Sequence, residues 1–208
     1  MAESATDTKK KIIESAKKEF LENGFTNASL RTIAANAGVT TGAMYRHFKD
    51  KDALFCALVD EAIEVTTKTV MMADVMTHSQ FAAPASQEHH EEEQKAVKNL
   101  LDYIYTNFDA FVLLLTKAAG STHENFLEEI CNLYTKNCEG TFHWMYEQKI
   151  APKKVDSMTV HFIASSLINA FAEIVFHKMP REEALQYIEN ITEFFHFGTL
   201  HMMGIPIT

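Results

Sequence analysis

Along most of the chain, apolar residues recur at intervals of three and four, the spacing that gives a helix one buried face. No Asn-Gly or Asp-Gly pair joins two alternating runs, so nothing signals a hairpin. Of the four prolines, Pro84, Pro152 and Pro180 fall between long periodic segments. The pattern predicts an all-α protein.

The first helix is expected from Thr8 to Asn23, with Asp7 or Thr8 as cap, Gly24 as stop, and Ile12, Ile13, Ala16, Phe20 and Leu21 on one face. Ser29 caps a short second helix over Leu30–Ala37, with Leu30, Ile33, Ala34 and Ala37 inward. Gly38 ends it at positive φ. Thr40 caps a third, which runs to His47, and a fourth runs from Lys51 to Met76. Residues 77–90 read as a loop. Longer helices follow over Glu91–Ala119, His123–Lys149 and Val155–Lys178, and a last one from Pro180 to near Gly204; these are eight segments of a bundle expected to hold about nine helices.

Composition narrows the class. The 208 residues are 47% hydrophobic and 23% charged, ordinary values for a globular protein. The polar start MAESATDTKKK does not read as a secretory signal, and no apolar run is taken as a membrane span, so a cytoplasmic location is expected. Cys56, Cys131 and Cys138 read as free buried thiols, Cys131 and Cys138 on one helical face. The net charge of −9 conceals an asymmetry: residues 1–56 hold nine Lys or Arg against seven Asp or Glu, and the remainder ten against twenty-one. A basic head on an acidic body suggests that the head alone meets a polyanion.

Two short helices joined by a tight glycine turn, after a packing helix, make a helix-turn-helix unit. Ala34 is small where the two helices cross, and Val39 and Met44 plug the small core. Thr41, Gly42, Ala43, Tyr45, Arg46 and His47 then lie near the outer surface. Small residues at the front of the third helix let its backbone approach a major groove. Tyr45 and His47 suit phosphate oxygens, Arg46 suits phosphate or guanine, and Lys51 stands at the start of the next helix, where an anion is favoured.

The run ASLRTIAANAGVTTGAMYRHFKDKDALF resembles the DNA-binding domain of the TetR family of one-component bacterial repressors. Gly24-Phe25, Leu30-Arg31-x-Ile33-Ala34, Ala37-Gly38-Val39, Gly42-x-x-Tyr45-x-His47-Phe48 and Lys49-x-Lys51-x-x-Leu54 carry the likeness, over residues 9–58. The resemblance implies a homodimer with a DNA-reading head at 1–51 and an effector-binding and dimerisation body at 52–208. By position it implies phosphate contacts from Ser29 and Arg31. Thr40, Thr41, Gly42, Ala43 and Arg46 would approach bases or backbone, and Tyr45, His47 and Lys51 would grip phosphates. The body matches no subfamily. Lys9, Lys10 and Lys11 replace the arginine that a minor-groove arm would need.

In the body, Ser157–Lys178 is apolar almost all round, so it is expected to be buried on several sides. Val160, Ile163, Leu167, Phe171 and Ile174, with Ile188, Ile191 and Phe195 of the last helix, are the expected dimer interface. Tyr103, Asn107, Phe111, Tyr134, Phe142, Trp144, Met145, His161 and Asn169 are the candidate lining of a pocket for a lipophilic effector. No cofactor is implied. His89-His90-Glu91-Glu92-Glu93 reads as a solvated acidic helix start, because neighbouring helical residues diverge. His196 and His201 stand five apart, a poor chelating interval, so no metal site is expected. The chain carries no nucleophile motif and no Gly-rich phosphate loop, which argues against an enzyme. The expected function is a ligand-responsive regulator, most simply a repressor released from a palindromic operator by its effector. The alternative is a ligand-independent architectural or regulatory DNA-binding protein.

Overall fold

The computed structural model of the chain describes residues 5–80 and 84–206, apart from the side chains of 72–80 and 87. Among these residues there are nine α-helices, one π-helical turn and no strand. In chain order the helices are α1 (Ala5–Asn27), α2 (Leu30–Asn36), α3 (Thr41–Met44), α4 (Lys51–Gln80), α5 (Gln87–Thr106), α6 (Phe108–Val112), α7 (Phe126–Glu147), α8 (Ser157–Phe176) and α9 (Arg181–Met203), with the π turn over Leu113–Lys117 between α6 and α7. They form two compact units, Met1–Glu64 with Asn107–Phe126, and Val65–Thr106 with Leu127–Thr208. The division falls inside α4, after Glu64, rather than at residue 51.

The first unit packs around aromatic rings. Phe20, Phe25 and Phe55 meet at centroid distances of 5.2–6.0 Å, two of the pairs edge to face, a geometry that adds to their burial. Ile12, Ile33, Met44 and Leu54 complete this core at 0–1% exposure. Gly24 breaks α1 at φ 73°, ψ 166°, a backbone that a side chain rarely adopts, and the chain regains a helical turn beyond it. Asp52, near the start of α4, accepts bonds from the N–H and the hydroxyl of Thr122 at 2.8 and 2.5 Å, which fixes the 118–125 turns to this unit.

Three sequence expectations need correction. The helix expected over Glu91–Ala119 starts at Gln87 and breaks at Asn107 (φ −117°, ψ 31°), and Leu113–Lys117 then winds as a π turn. Apolar periodicity continues across that break, so spacing alone could not reveal it. The loop expected at 77–90 is shortened from both ends, since α4 reaches Gln80 and α5 begins at Gln87; 81–83 lie outside the described residues. The regular third helix ends at Met44, and hydrogen-bonded turns carry the chain on to Phe48.

The second unit holds two packed clusters. Leu101, Ala170, Ile174, Ala184 and Ile188 make one, between α5, α8 and α9; Met145, Ala151, Leu200, Met203 and Ile205 make the other. The Tyr105 hydroxyl donates to the Met179 carbonyl at 2.6 Å, and Arg181 pairs with Asp102. Asp156 caps α8 by accepting from the Thr159 N–H at 3.0 Å, and Gly204 closes α9 at φ 74°. The expected dimer stripe is packed in part within its own unit. Val160, Ile163, Ile174 and Ile188 are 0–7% exposed within their own unit, and Leu167, Phe171, Ile191 and Phe195 are half-buried. The large apolar side chains that face outward are Met158, Phe162 and Phe176 on α8, and Phe194 and Met202 on α9, with Phe162 65% and Phe194 70% exposed. The helix α8 also has the length and apolarity of a membrane span, with mean hydropathy 1.5, contrary to the reading that no run does. Its Val160, Ile163, Ala164, Ile174 and Val175 are instead buried against neighbouring helices.

Candidate nucleic-acid interface and effector cavity

The α2–turn–α3 unit is built from two caps and one glycine. The Ser29 hydroxyl accepts from the Thr32 N–H at 3.2 Å, and the Thr40 hydroxyl accepts from the Ala43 N–H at 3.1 Å. Gly38 turns the chain between them at φ 70°. The Ser15 hydroxyl reaches the Ile33 carbonyl at 2.9 Å and ties α2 to α1. Buried Glu19 accepts the Ser29 N–H at 2.9 Å. That carboxylate is a fold element that sequence reasoning missed, because a Glu within a charged helix face looks solvated.

Ala34, Met44 and Phe48 point inward at 1–7% exposure, while Arg31, Thr40, Gly42, Tyr45 and Arg46 are exposed, Tyr45 by 49%. Thr41, Ala43 and His47 are half-buried on the same short segment. Neither Arg31 nor Arg46 forms an ion pair among the described residues, so both guanidinium groups are available to an anion. At Gly42 an added Cβ would meet nothing within 4 Å, and its φ is not in the left-handed region. The fold therefore does not require glycine there, although glycine weakens a helix by about 0.5–1 kcal/mol relative to alanine.

Two of the expected phosphate groups also serve the fold. Ser29 is the α2 cap. The Lys51 ammonium donates to the carbonyls of Thr26 and Ala28 at 3.0 and 3.4 Å and lies 4.7 Å from the centre of the Phe25 ring. In the same unit, the Cys56 sulfur stands 3.4 Å from His123 Nε2, which lies 3.5 Å from Asp60. Burial, then the Asp52 and Asp60 carboxylates, push the Cys56 thiol up to about 11.

The second unit encloses a cavity of about 330 Å³, within the usual range for small-molecule sites. Val97, Phe142, Met145, Ile163, Leu167, Phe195, Leu200 and Met203 supply its apolar walls; His89, Glu92, Glu93, Tyr134, Asn137, Thr141 and His196 supply polar groups. Of the sequence candidates the structure brings Tyr134, Phe142 and Met145 to this cavity. Tyr103 and Trp144 do not line it, and His161 and Asn169 are exposed on α8. Asn107 and Phe111 belong to the first unit, where Phe111 is core. The neighbouring Cys138, then burial, hold the Tyr134 phenol well above its ordinary value, so it faces the cavity as a neutral donor. Burial depresses His89 below the usual imidazole value, against the pull of Glu93. The missed residues Cys138 and Thr141 fall on the same α7 face as Tyr134 and Met145, a signal that spacing could have offered.

A family profile described as "Bacterial regulatory proteins, tetR family" matches residues 12–58, the α1–α4 segment with every helix-turn-helix residue named above. Residues 12–58 carry the TetR-family regulatory segment. Over 62 residues it is 44% identical to the HTH-type transcriptional regulator TtgR of Pseudomonas putida, a match covering 30% of each chain. The chain thus matches about a third of the length of such curated relatives. Two solved structures share the fold over nine-tenths of the chain. NalD of Pseudomonas aeruginosa, the secondary repressor of the MexAB-OprM multidrug efflux pump, aligns over 91% of this chain and 97% of its own at 18% identity, with a TM-score of 0.59. FadR of Bacillus subtilis, solved with stearoyl-CoA, aligns over 91% and 98% at 15% identity, with a TM-score of 0.54. The matched family and these proteins are named as regulators, none as an enzyme.

Proposed function

We propose that this TetR-family chain is a cytoplasmic, ligand-responsive transcriptional repressor. It binds a palindromic double-stranded DNA operator as a homodimer and is released by a small lipophilic effector. The observation that carries the reading is the α2–turn–α3 unit: its inward residues are fully packed, yet Arg31, Tyr45 and Arg46 remain outward and Gly42 is a glycine that the fold does not need. A backbone without a side chain at position 42 approaches a groove closely, and the cationic and phenolic groups around it suit phosphates and guanine edges.

The homodimer is supported by the outward apolar side chains on α8 and α9. Phe162 and Phe194 are too large and too exposed to be ordinary surface residues. A second copy covers them, and the two heads then address half-sites about 34–36 Å apart, one turn of DNA. The cavity supports effector binding. It disfavours the architectural alternative, whose body would be filled. Coupling runs through α4, which contributes residues to both units. An effector needs to prefer the DNA-free state by only about 1–3 kcal/mol.

The test is fluorescence anisotropy at near-physiological salt, with the intergenic duplex upstream of the chain's own gene beside a shuffled duplex. The reading expects tight binding to the first, weak binding to the second, and release by lipophilic compounds that raise the melting temperature. Tyr45→Ala should weaken binding to every sequence, and Arg46→Ala should relax discrimination. Unchanged affinity in both variants would remove the head from the mechanism.

A further inference from the structure

Beside the polar end of the second unit's cavity, three histidines gather around one carboxylate, and two of them, His89 and His196, line the cavity with Glu93. His89 and His90 lie four and three positions before Glu93 on α5, so both reach its side of the helix. The third histidine, His196, comes from α9, some hundred residues later. Its Nδ1 stands 2.6 Å from Glu93 Oε2, and its side chain is 7% exposed. His89 Nε2 lies 3.7 Å from the other carboxylate oxygen, and the His90 and His196 rings are 4.8 Å apart at their centres. One donor atom from each of His90, Glu93 and His196 lies within 4.8 Å of the other two. His90 Nδ1 is buried and has no hydrogen-bond partner among the described residues. A buried ring nitrogen left this way is an exception among native structures, and an ion is one of its explanations.

We propose that His90, Glu93 and His196 form a binding site for a divalent transition-metal ion, best matched by Zn²⁺. The donor set decides the class. Two imidazoles and a carboxylate suit zinc and its neighbours, whereas calcium and magnesium take all-oxygen sets. Zinc holds such donors at roughly 2.0–2.2 Å, which places them about 3.4 Å from one another in a tetrahedron. The present spacings bracket that value, so side-chain rotation is sufficient. Metal binding replaces the Glu93–His196 hydrogen bond, and the neutral imidazole keeps its single proton on the ring nitrogen turned away from the ion. His89 lies against the other Glu93 oxygen and orients it. The fourth position faces the cavity, which His89, Glu93 and His196 line. Sequence spacing argued against chelation here because the adjacent His89 and His90 diverge. The fold removes that objection by supplying the third donor from α9. This site stands whether or not the head binds an operator.

The experiment uses the untagged full chain, with Co²⁺ followed by its visible ligand-field absorption and Zn²⁺ by calorimetry. The expected result is one ion per chain with the strong absorption of a tetrahedral site. His196→Gln and Glu93→Gln should each lower affinity by at least about tenfold, with helix content verified by circular dichroism. His90→Gln decides the matter if either of those variants unfolds. His143→Gln and His201→Gln, outside the cluster, should bind as the unaltered chain does. Absence of stoichiometric binding overturns the proposal. So does an equal loss in the two outside variants, or undiminished affinity in all three cluster variants. None of these readouts involves DNA, so failure here and failure of the repressor reading are separate results.

Discussion

Replacing Lys51 by methionine tests whether this side chain holds the head together. Methionine keeps an apolar stem against Phe25 but removes the ammonium and its donors. The bond to the Thr26 carbonyl is 3.0 Å long; with a charged donor at a half-exposed site it contributes about 1.5 kcal/mol. The second, at 3.4 Å to the Ala28 carbonyl, is long and adds only a few tenths. The ammonium 4.7 Å above Phe25 adds about 0.5 kcal/mol. The total is about 2 kcal/mol, which lowers the melting temperature of a chain this size by roughly 4–8 °C. Lys49→Met is the control. Its side chain is 82% exposed and 3.9 Å from Asp50, so its removal should cost nothing measurable. Differential scanning calorimetry without DNA reads both. If the two variants melt together with the unaltered chain, Lys51 does not cap the carbonyls at the end of α1, and its presence has to be explained by phosphate alone.

Three further outcomes are expected. Phe162→Asp with Phe194→Asp should convert the proposed dimer to a monomer in light scattering while helix content is retained; a persistent dimer would place the interface elsewhere. Burial opposes ionisation of Asp52, yet the Thr122 hydroxyl and N–H outweigh it and hold the carboxyl below its ordinary 3.8. Its contribution is present above that value and lost as pH falls through the lower folded one. The stability gap between the unaltered chain and Asp52→Asn, measured by urea unfolding, should therefore shrink below about pH 4; a gap that widens there would refute the assignment. The Cys56 thiol, raised from 9.0 to about 11, should resist alkylation at neutral pH more than a free thiol does, and its share of stability should fall as pH rises from 9 towards 11. Rapid neutral-pH alkylation of Cys56, located by mass spectrometry, would contradict the burial and the carboxylate neighbours.

The head was largely legible because its signals are local. Ser29, Gly38 and Thr40 act within four residues of where they stand, so caps and turn could be read directly. Glu19 and Lys51 were not legible in their structural roles. Their partners, Ser29 and the Thr26 and Ala28 carbonyls, are met only after α1 folds back. For α8 the helix was legible, but Val160, Ile163 and Ile174 of the expected dimer face are packed within their own unit. A segment apolar on every side satisfies several orientations, and only packing against α5 and α9 decided that Ile174 is covered and Phe162 is not. The cavity lining divides likewise. Tyr134 and Met145 were reachable from one helix's spacing, whereas His196 joins His90 and Glu93 only through the fold.

The alternation of inward Met44 and Phe48 with outward Gly42, Tyr45 and Arg46 has a consequence for mutational tolerance. Packing is carried by one set of positions and the outer surface by another, within eight residues. A randomised library over 41, 42, 45 and 46 should therefore yield mostly folded proteins, because each exchange leaves the buried anchors and both caps untouched. New binding preferences could then be selected without first restoring stability, whereas a library over 44 and 48 would be lost to unfolding before any preference could be measured.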